Sequence, residues 1–399
     1  MDILNHLKNL KPYCLITMPR AGSEYFQSLL DGHPEICLFN LNFRFFNEYL
    51  PNSKVYNSKN GFEFSDFIDE FIGVELDRLI TRYELNERQD QLGPNQNEFI
   101  KIDTQKFRNI FLKIVNKHSK NKKNLFLSIY GAYHICLGRD IKKTKILFHH
   151  AHYFEEANIF KESFKDSILI FSIRDLRASF TSGIENVRKN SFRLFNYRYF
   201  NDMVIQMEPL NKSQLAKLYN DQKSFLRIYG LRLEGLPEKS CLLSLSKVLN
   251  ITFNDSMKVS TWGDLEWWGD KQSIKKIKPR GVVKSRKYNG WKLVLGKIDV
   301  YIFETIYNDL LKKYGYDCKK SYLLDYIICF FLIFFPLRLE LKLISPNFFF
   351  KKLKNFSLMN LYNLLLTPYF FIKTRFDLLG QLKNQLNSKW KKFNINMIN

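Results

Sequence analysis

At 399 residues, 45% hydrophobic and 25% charged, the chain is long enough for a full core and has a globular rather than a disordered composition. Its formal net charge of +23 favours an anionic partner (nucleotide, nucleic acid, acidic glycan or anionic membrane), with a Lys/Asn/Phe/Ile-rich composition as the plain alternative source of that charge. The six cysteines are scattered and form no close pair of the metal-knuckle or redox kind, which fits a reducing compartment, and the first dozen residues lack the apolar core of a secretory signal.

Taken in chain order, the first predicted element is an apolar strand over 13–18 that runs through Pro19-Arg20-Ala21-Gly22-Ser23 into a helix over 23–31. That arrangement builds an anion cradle: Gly22 lets backbone approach closely, and the N–H groups of the new helix face a phosphate. Arg20 adds a planar, permanent charge suited to phosphate or sulfate oxygens. The Gly-x-x-x-x-Gly-Lys-Ser/Thr spacing of nucleotide triphosphatases is absent. Residues 51–61 read as a loop, and Leu125–Tyr130 as a strand or a helix start. A strand at 145–150, a helix over 154–164 and a strand at 168–173 follow.

The last of these strands ends in Arg174 and turns into a helix carrying Ser182, eight residues on, so that both can meet one phosphate. Two strand-end anion sites argue for a ligand with two separated phosphates. The alternation of strands and helices predicts an α/β fold with three layers and a mainly parallel central sheet, where ligands bind beyond the carboxyl ends of the strands. From 184 to 240 the chain reads as mostly helical, and Lys278-Pro279-Arg280-Gly281 as a basic loop. Asp264 and Asp270, beside three tryptophans, read either as acceptor-cleft residues or as turn residues next to core tryptophans.

After residue 319 the composition shifts. Tyr326–Leu337 and Ser357–Ile372 are uncharged and interrupted by Pro336 and Pro368, each short of the ~18–20 residues that span a bilayer. Residues 319–399 hold 13 basic and 3 acidic residues, a net +10. This tail is expected to be a helical, apolar and basic extension, either lying in a membrane interface on anionic lipid or packing on the core.

The two strand-end motifs resemble those of the sulfotransferase family, which takes 3′-phosphoadenosine 5′-phosphosulfate (PAPS) as donor. The resemblance extends through Asp31-Gly32-His33-Pro34-Glu35-Ile36, Ser260–Asp264 and Trp267–Asp270, and ends near Lys313-Tyr314-Gly315-Tyr316. It implies a P-loop-like sulfotransferase fold, as in bacterial-type glycan sulfotransferases, over 10–318, with 319–399 as the extension. By the same resemblance Arg20, Ala21, Gly22, Ser23, Glu24 and Tyr25 hold the 5′-phosphosulfate side of the donor, with Tyr25 against the adenine. Arg174 and Ser182 hold its 3′-phosphate, with Arg280 and Gly281 closing over it. Three of these positions depart from the family, Tyr25 among them as an aromatic where the cytosolic members often carry Trp. Ala21 replaces Ser or Gly, and Glu24 sets a carboxylate where the family has a hydroxyl donor.

Sulfuryl transfer needs a base near the acceptor oxygen and positive charge on the transferring group. Arg20 supplies the charge. His152, 22 residues before Arg174 in a His150-Ala151-His152 pattern, matches the base of the family's His-using branch, with Glu48 as the alternative. The expected activity is therefore transfer of sulfate from PAPS, without a metal, to a hydroxyl of a carbohydrate or lipid-linked glycan. The expected place is the cytoplasm, peripheral on the inner face of the membrane, with no nucleic-acid partner. The alternatives are an inactive sulfotransferase-like glycan-binding protein, a phosphoryl transferase and a basic nucleic-acid-binding protein.

Overall fold

Six apolar segments, each flanked by turn-forming or polar residues, pair into one parallel sheet in the computed structural model. The structure describes residues 2–17, 20–39, 43–80, 92–151, 154–189, 197–207, 227–236, 238–269, 290–343, 358–387 and 395–398. The strands are β1 (Lys11–Thr17), β2 (Ile36–Leu38), β3 (Ile146–His150), β4 (Ile168–Ile173) and β5 (Ile228–Arg232). Two strands of a short hairpin, β6 (Thr261–Trp262) and β7 (Leu265–Glu266), stand apart, and β8 (Asn396–Ile398) closes the list. The sheet order is β2-β3-β1-β4-β5-β8. Strands β3 and β4 are buried along their whole length, as continuous apolar runs require when helices cover both faces.

The helices that matter for the site are α1 (Ser23–Leu30), α2 (Lys122–Cys136), α3 (Phe154–Ser163), α4 (Leu176–Lys189), α5 (Tyr197–Met207) and α6 (Lys239–Leu249). Helix α1 turns Phe26, Leu29 and Leu30 into the core. Helix α2 settles the ambiguous stretch at 125–130: Asn121 caps it by accepting from the Asn124 N–H, and its apolar run is buried as helix, not as strand.

The predicted strand and helix positions up to residue 173 otherwise stand, and two later expectations need correction. The stretch 184–240, read as mostly helical, contains β5, whose Ile228 and Leu231 are buried between β4 and β8. The tail, read as helical, forms helices among its described residues and then ends in a strand. Here α7 (Lys297–Ile306) packs against α8 (Leu323–Leu332), α9 is Leu358–Leu365, and α10 (Thr367–Leu386) packs on α5 and α7. Strand β8 then adds to the sheet edge at β5, through Leu231↔Ile398.

The tail is fastened to the core by buried polar contacts. Glu340 pairs with Arg375 at 2.5 Å and accepts from the Tyr197 hydroxyl. Asn201 donates to Thr374 and Asp377, and Gln381 donates to the Val204 carbonyl. Among the described residues no helix is long and apolar enough to cross a membrane.

Candidate functional site

Chain order reverses at β1: the next strand lies two places to one side, whereas β4 lies directly on the other. The carboxyl ends of β1 and β4 therefore flank the switch point, where α/β sheets open a ligand crevice. Both predicted anion loops sit here, because Thr17 and Ser172 are paired neighbours in the sheet.

Two side chains stitch the loops together. Ser172 Oγ donates to the Ala21 carbonyl at 2.9 Å, and Arg174 Nη1 donates to the Arg20 carbonyl at 3.0 Å. The β1–α1 loop is tight: Arg20 takes φ 59° and Gly22 φ 69°, both left-handed. Glycine suits position 22, since its φ is left-handed and a Cβ there would lie 2.5 Å from Leu233 Cδ1, which would have to shift. Gly22 is also the N-cap of α1, so no side chain caps the helix. Its first amides keep the outward polarity that favours an anion. Arg20 Nε is buried without a hydrogen-bond partner among the described residues.

The β4–α4 loop is built differently. Arg177, 4% exposed, binds Asp175 through Nε and Nη2, Glu304 through Nη1 and the Asp317 carbonyl through Nη2. Its guanidinium also stacks on Trp291 at 4.2 Å. Burial opposes the charge, but the bonds to Asp175 and Glu304 outweigh it and raise the Arg177 pKa. Glu234 accepts from the Asp175 N–H and from the Tyr316 hydroxyl, so the Tyr314-Gly315-Tyr316 segment braces this loop from below. Asp175 and Arg177 thus form a buried lock. Ser182 lies on α4, half-buried, in the helix that this lock anchors.

The paired histidines of β3 point to opposite faces. His149 faces α2 and α3, 2.8 Å from the Tyr130 hydroxyl and stacked on Phe160, and burial pushes its pKa down to about 3. His149 is core. His150 faces α1, with Nδ1 3.0 Å from Gln27 Oε1, and the Gln27 amide nitrogen is committed to the Phe39 carbonyl. Nδ1 of His150 therefore carries the proton. Glu48, the alternative base, is paired with Arg44 at 3.2 Å on an exposed turn.

Several residues singled out in the sequence have structural positions. His33 donates through Nε2 to the Thr252 carbonyl and accepts the Glu35 N–H at Nδ1, so the Gly-His-Pro-Glu segment braces a corner. Asp264 sits with Gly263 in left-handed backbone at the β6–β7 turn and pairs with Arg139, which also binds Asp31. Trp262 and Trp267 are core residues packed edge to face. Asp264 and these tryptophans are thus turn and core. Ala21, Ser23 and Tyr25 are buried, and Glu24 is half-buried in the first turn of α1. His152, Arg280, Gly281, Pro19 and Asp270 lie outside the described residues.

Scanned against protein-family models, the chain matches none. No curated protein matches it either.

Proposed function

We propose that the protein is a PAPS-dependent sulfotransferase acting on a hydroxyl of a carbohydrate or lipid-linked glycan. The observation that carries this reading is the junction of two separately spaced anion motifs at one switch point, with Arg174 bonded to the Arg20 carbonyl at 3.0 Å. A one-phosphate ligand needs one such loop; a bisphosphorylated nucleotide needs both. The residues present fit such a donor: Arg20 has a buried Nε without a partner among the described residues, and no side chain caps α1 at Gly22.

PAPS supplies a sulfuryl group joined to a phosphate leaving group. In transfer, the sulfur–oxygen bond to that phosphate breaks and a bond to the acceptor oxygen forms, while the acceptor proton passes to a base. Arg20 and the Gly22–Ser23 amides hold negative charge on the transferring group and the departing phosphate. Arg174 and Ser182 hold the 3′-phosphate, with Arg280 and Gly281 over it. His152, two residues past the end of β3, takes the proton. The acceptor is met on the inner face of a membrane, to which the protein binds peripherally.

One observation favours a second reading. Glu24 brings a carboxylate into the first turn of α1, where it satisfies the helix dipole in place of a ligand anion. That supports a fold kept for glycan binding without transfer. Release of 3′-phosphoadenosine 5′-phosphate from PAPS, measured with a panel of oligosaccharide and glycolipid acceptors, separates the two. The enzyme reading expects acceptor-dependent release that Arg20→Met abolishes, and release by neither protein with any acceptor contradicts it.

A further inference from the structure

Among the described residues, every large hydrophobic side chain that stands exposed, apart from Val74, Leu243, Leu293 and Ile298, lies between Tyr322 and Leu386. Helix α8 is the densest part. The helix and the turn after it bury Cys329, Ile333 and Leu337, all 1% exposed or less, with Tyr326 and Leu332 partly buried against the core. Its remaining surface is apolar as well: Leu323, Leu324, Ile327, Phe331, Phe334 and Phe335 are each at least half exposed. A helix at a water boundary shows charged or polar side chains on that side, and one apolar all round belongs in a nonpolar medium.

The charges around α8 are sorted. Of the tail's three acidic residues, Glu340 is buried against Arg375, Asp377 accepts from Asn201, and Asp325 caps α8 at Tyr322 while accepting from the Tyr301 hydroxyl. Lys319 and Lys320 precede α8 and Arg338 follows Leu337, all three exposed. The tail's carboxylates are thus engaged within the protein, and exposed cations stand before and after the apolar stretch, Lys319 at 4.0 Å from Asp325, a charge pattern that complements an anionic lipid surface. At ~1.5 Å per residue α8 is about 15 Å long, half the hydrocarbon thickness of a bilayer.

We propose that α8 and the turn to Phe335 form a foot that inserts into one leaflet of an anionic membrane, held by Lys319, Lys320 and Arg338 at the headgroups. This inference deepens the peripheral-membrane part of the function proposed above and rests on it, while the sulfuryl-transfer reading is independent of it. The foot is clipped to α7 by Asp325–Tyr301 and reaches α10 through Gln385 and Tyr326, so it docks the catalytic fold at the lipid as one piece.

The test is flotation of the full chain with phosphatidylcholine vesicles, with and without phosphatidylglycerol, for the natural sequence and for Phe331→Glu/Phe335→Glu. Both side chains are exposed, so the variant keeps the fold, which circular dichroism checks. The expected result is binding to the anionic vesicles that weakens with salt and falls about tenfold or more in the variant. A further arm places Phe331→Trp beside lipids brominated in the acyl chain, where quenching is expected. Vesicle binding that the variant keeps, with no quenching, overturns the foot and leaves membrane association standing. No vesicle binding by the natural sequence overturns both. A dimer in light scattering that the variant dissociates, without lipid binding, overturns the foot in favour of a second copy on this face.

Discussion

The two loops at the carboxyl edge of the sheet begin alike, each with an Arg one to three residues past an apolar strand, and end in opposite states. The β4–α4 loop is closed on itself: Arg177 spends its donors on Asp175, Glu304 and the Asp317 carbonyl, and Asp175 is held in turn by Glu234. The β1–α1 loop keeps its helix uncapped and Arg20 Nε without a partner among the described residues. In the β4–α4 loop Arg177 is the scaffold residue, whereas Arg174 turns to the neighbouring loop at the Arg20 carbonyl. A buried cation with its carboxylates is a structural lock, whereas left-handed backbone, a helix start without a side-chain cap and an Arg20 Nε without a partner among the described residues are the features on which the proposed anion site rests.

Substitutions of an arginine in each loop should therefore part company. Arg177→Met leaves the buried Asp175 and the partly buried Glu304 without their cation and is expected to cost about 3–5 kcal/mol in urea unfolding. Arg20→Met is expected to stay within about 0.5 kcal/mol while removing nucleotide binding. Equal losses of stability in the two variants would erase the distinction. Next in size is Gly22→Ala, which forces alanine to φ 69° and drives a Cβ into Leu233, an expected loss of about 2–3 kcal/mol. Gly61→Ala, at φ 76° but with nothing within 4 Å, should lose only about 1 kcal/mol, so the difference reads the close approach alone.

A pH-dependent effect concerns the same division within β3, where His149 is locked and His150 is aimed at α1. His149 has a folded pKa of about 3 against ~6.5 unfolded, so below pH 6.5 the unfolded chain takes up a proton that the folded one refuses. Stability should fall as pH drops, by about 2 kcal/mol at pH 5 from this residue. His149→Phe, in an aromatic surround of Phe126 and Phe160, should flatten that dependence in urea midpoints measured at pH 7 and pH 5. An unchanged slope would mean that His149 is not the buried neutral group described.

Much of this architecture was legible in the residues, for physical reasons. Strands β1, β3 and β4 are apolar runs ending in polar or glycine-bearing turns, and local pattern suffices to place them. Strand β5 was hidden because Arg227 and Arg232 flank it and Gly230 interrupts it, and its burial comes from neighbours far along the chain. Strand β8 is three residues long and carries too little pattern to stand out from a basic tail. The Gly22 loop announced itself through spacing. The Arg177 lock did not, because Glu234, Glu304 and Tyr316 are brought to it only by the folded sheet, and an Arg-Asp pair in sequence looks the same buried or exposed.

The central claim is that the two loops hold one bisphosphorylated nucleotide, and calorimetric titration with 3′-phosphoadenosine 5′-phosphate beside 5′-AMP and ATP tests it most directly. The account predicts clear preference for the bisphosphate, reduced about 10- to 100-fold by Arg174→Ala as a charge-assisted contact is lost. Equal affinity for the bisphosphate and 5′-AMP, or a preference that Arg174→Ala leaves untouched, would contradict it.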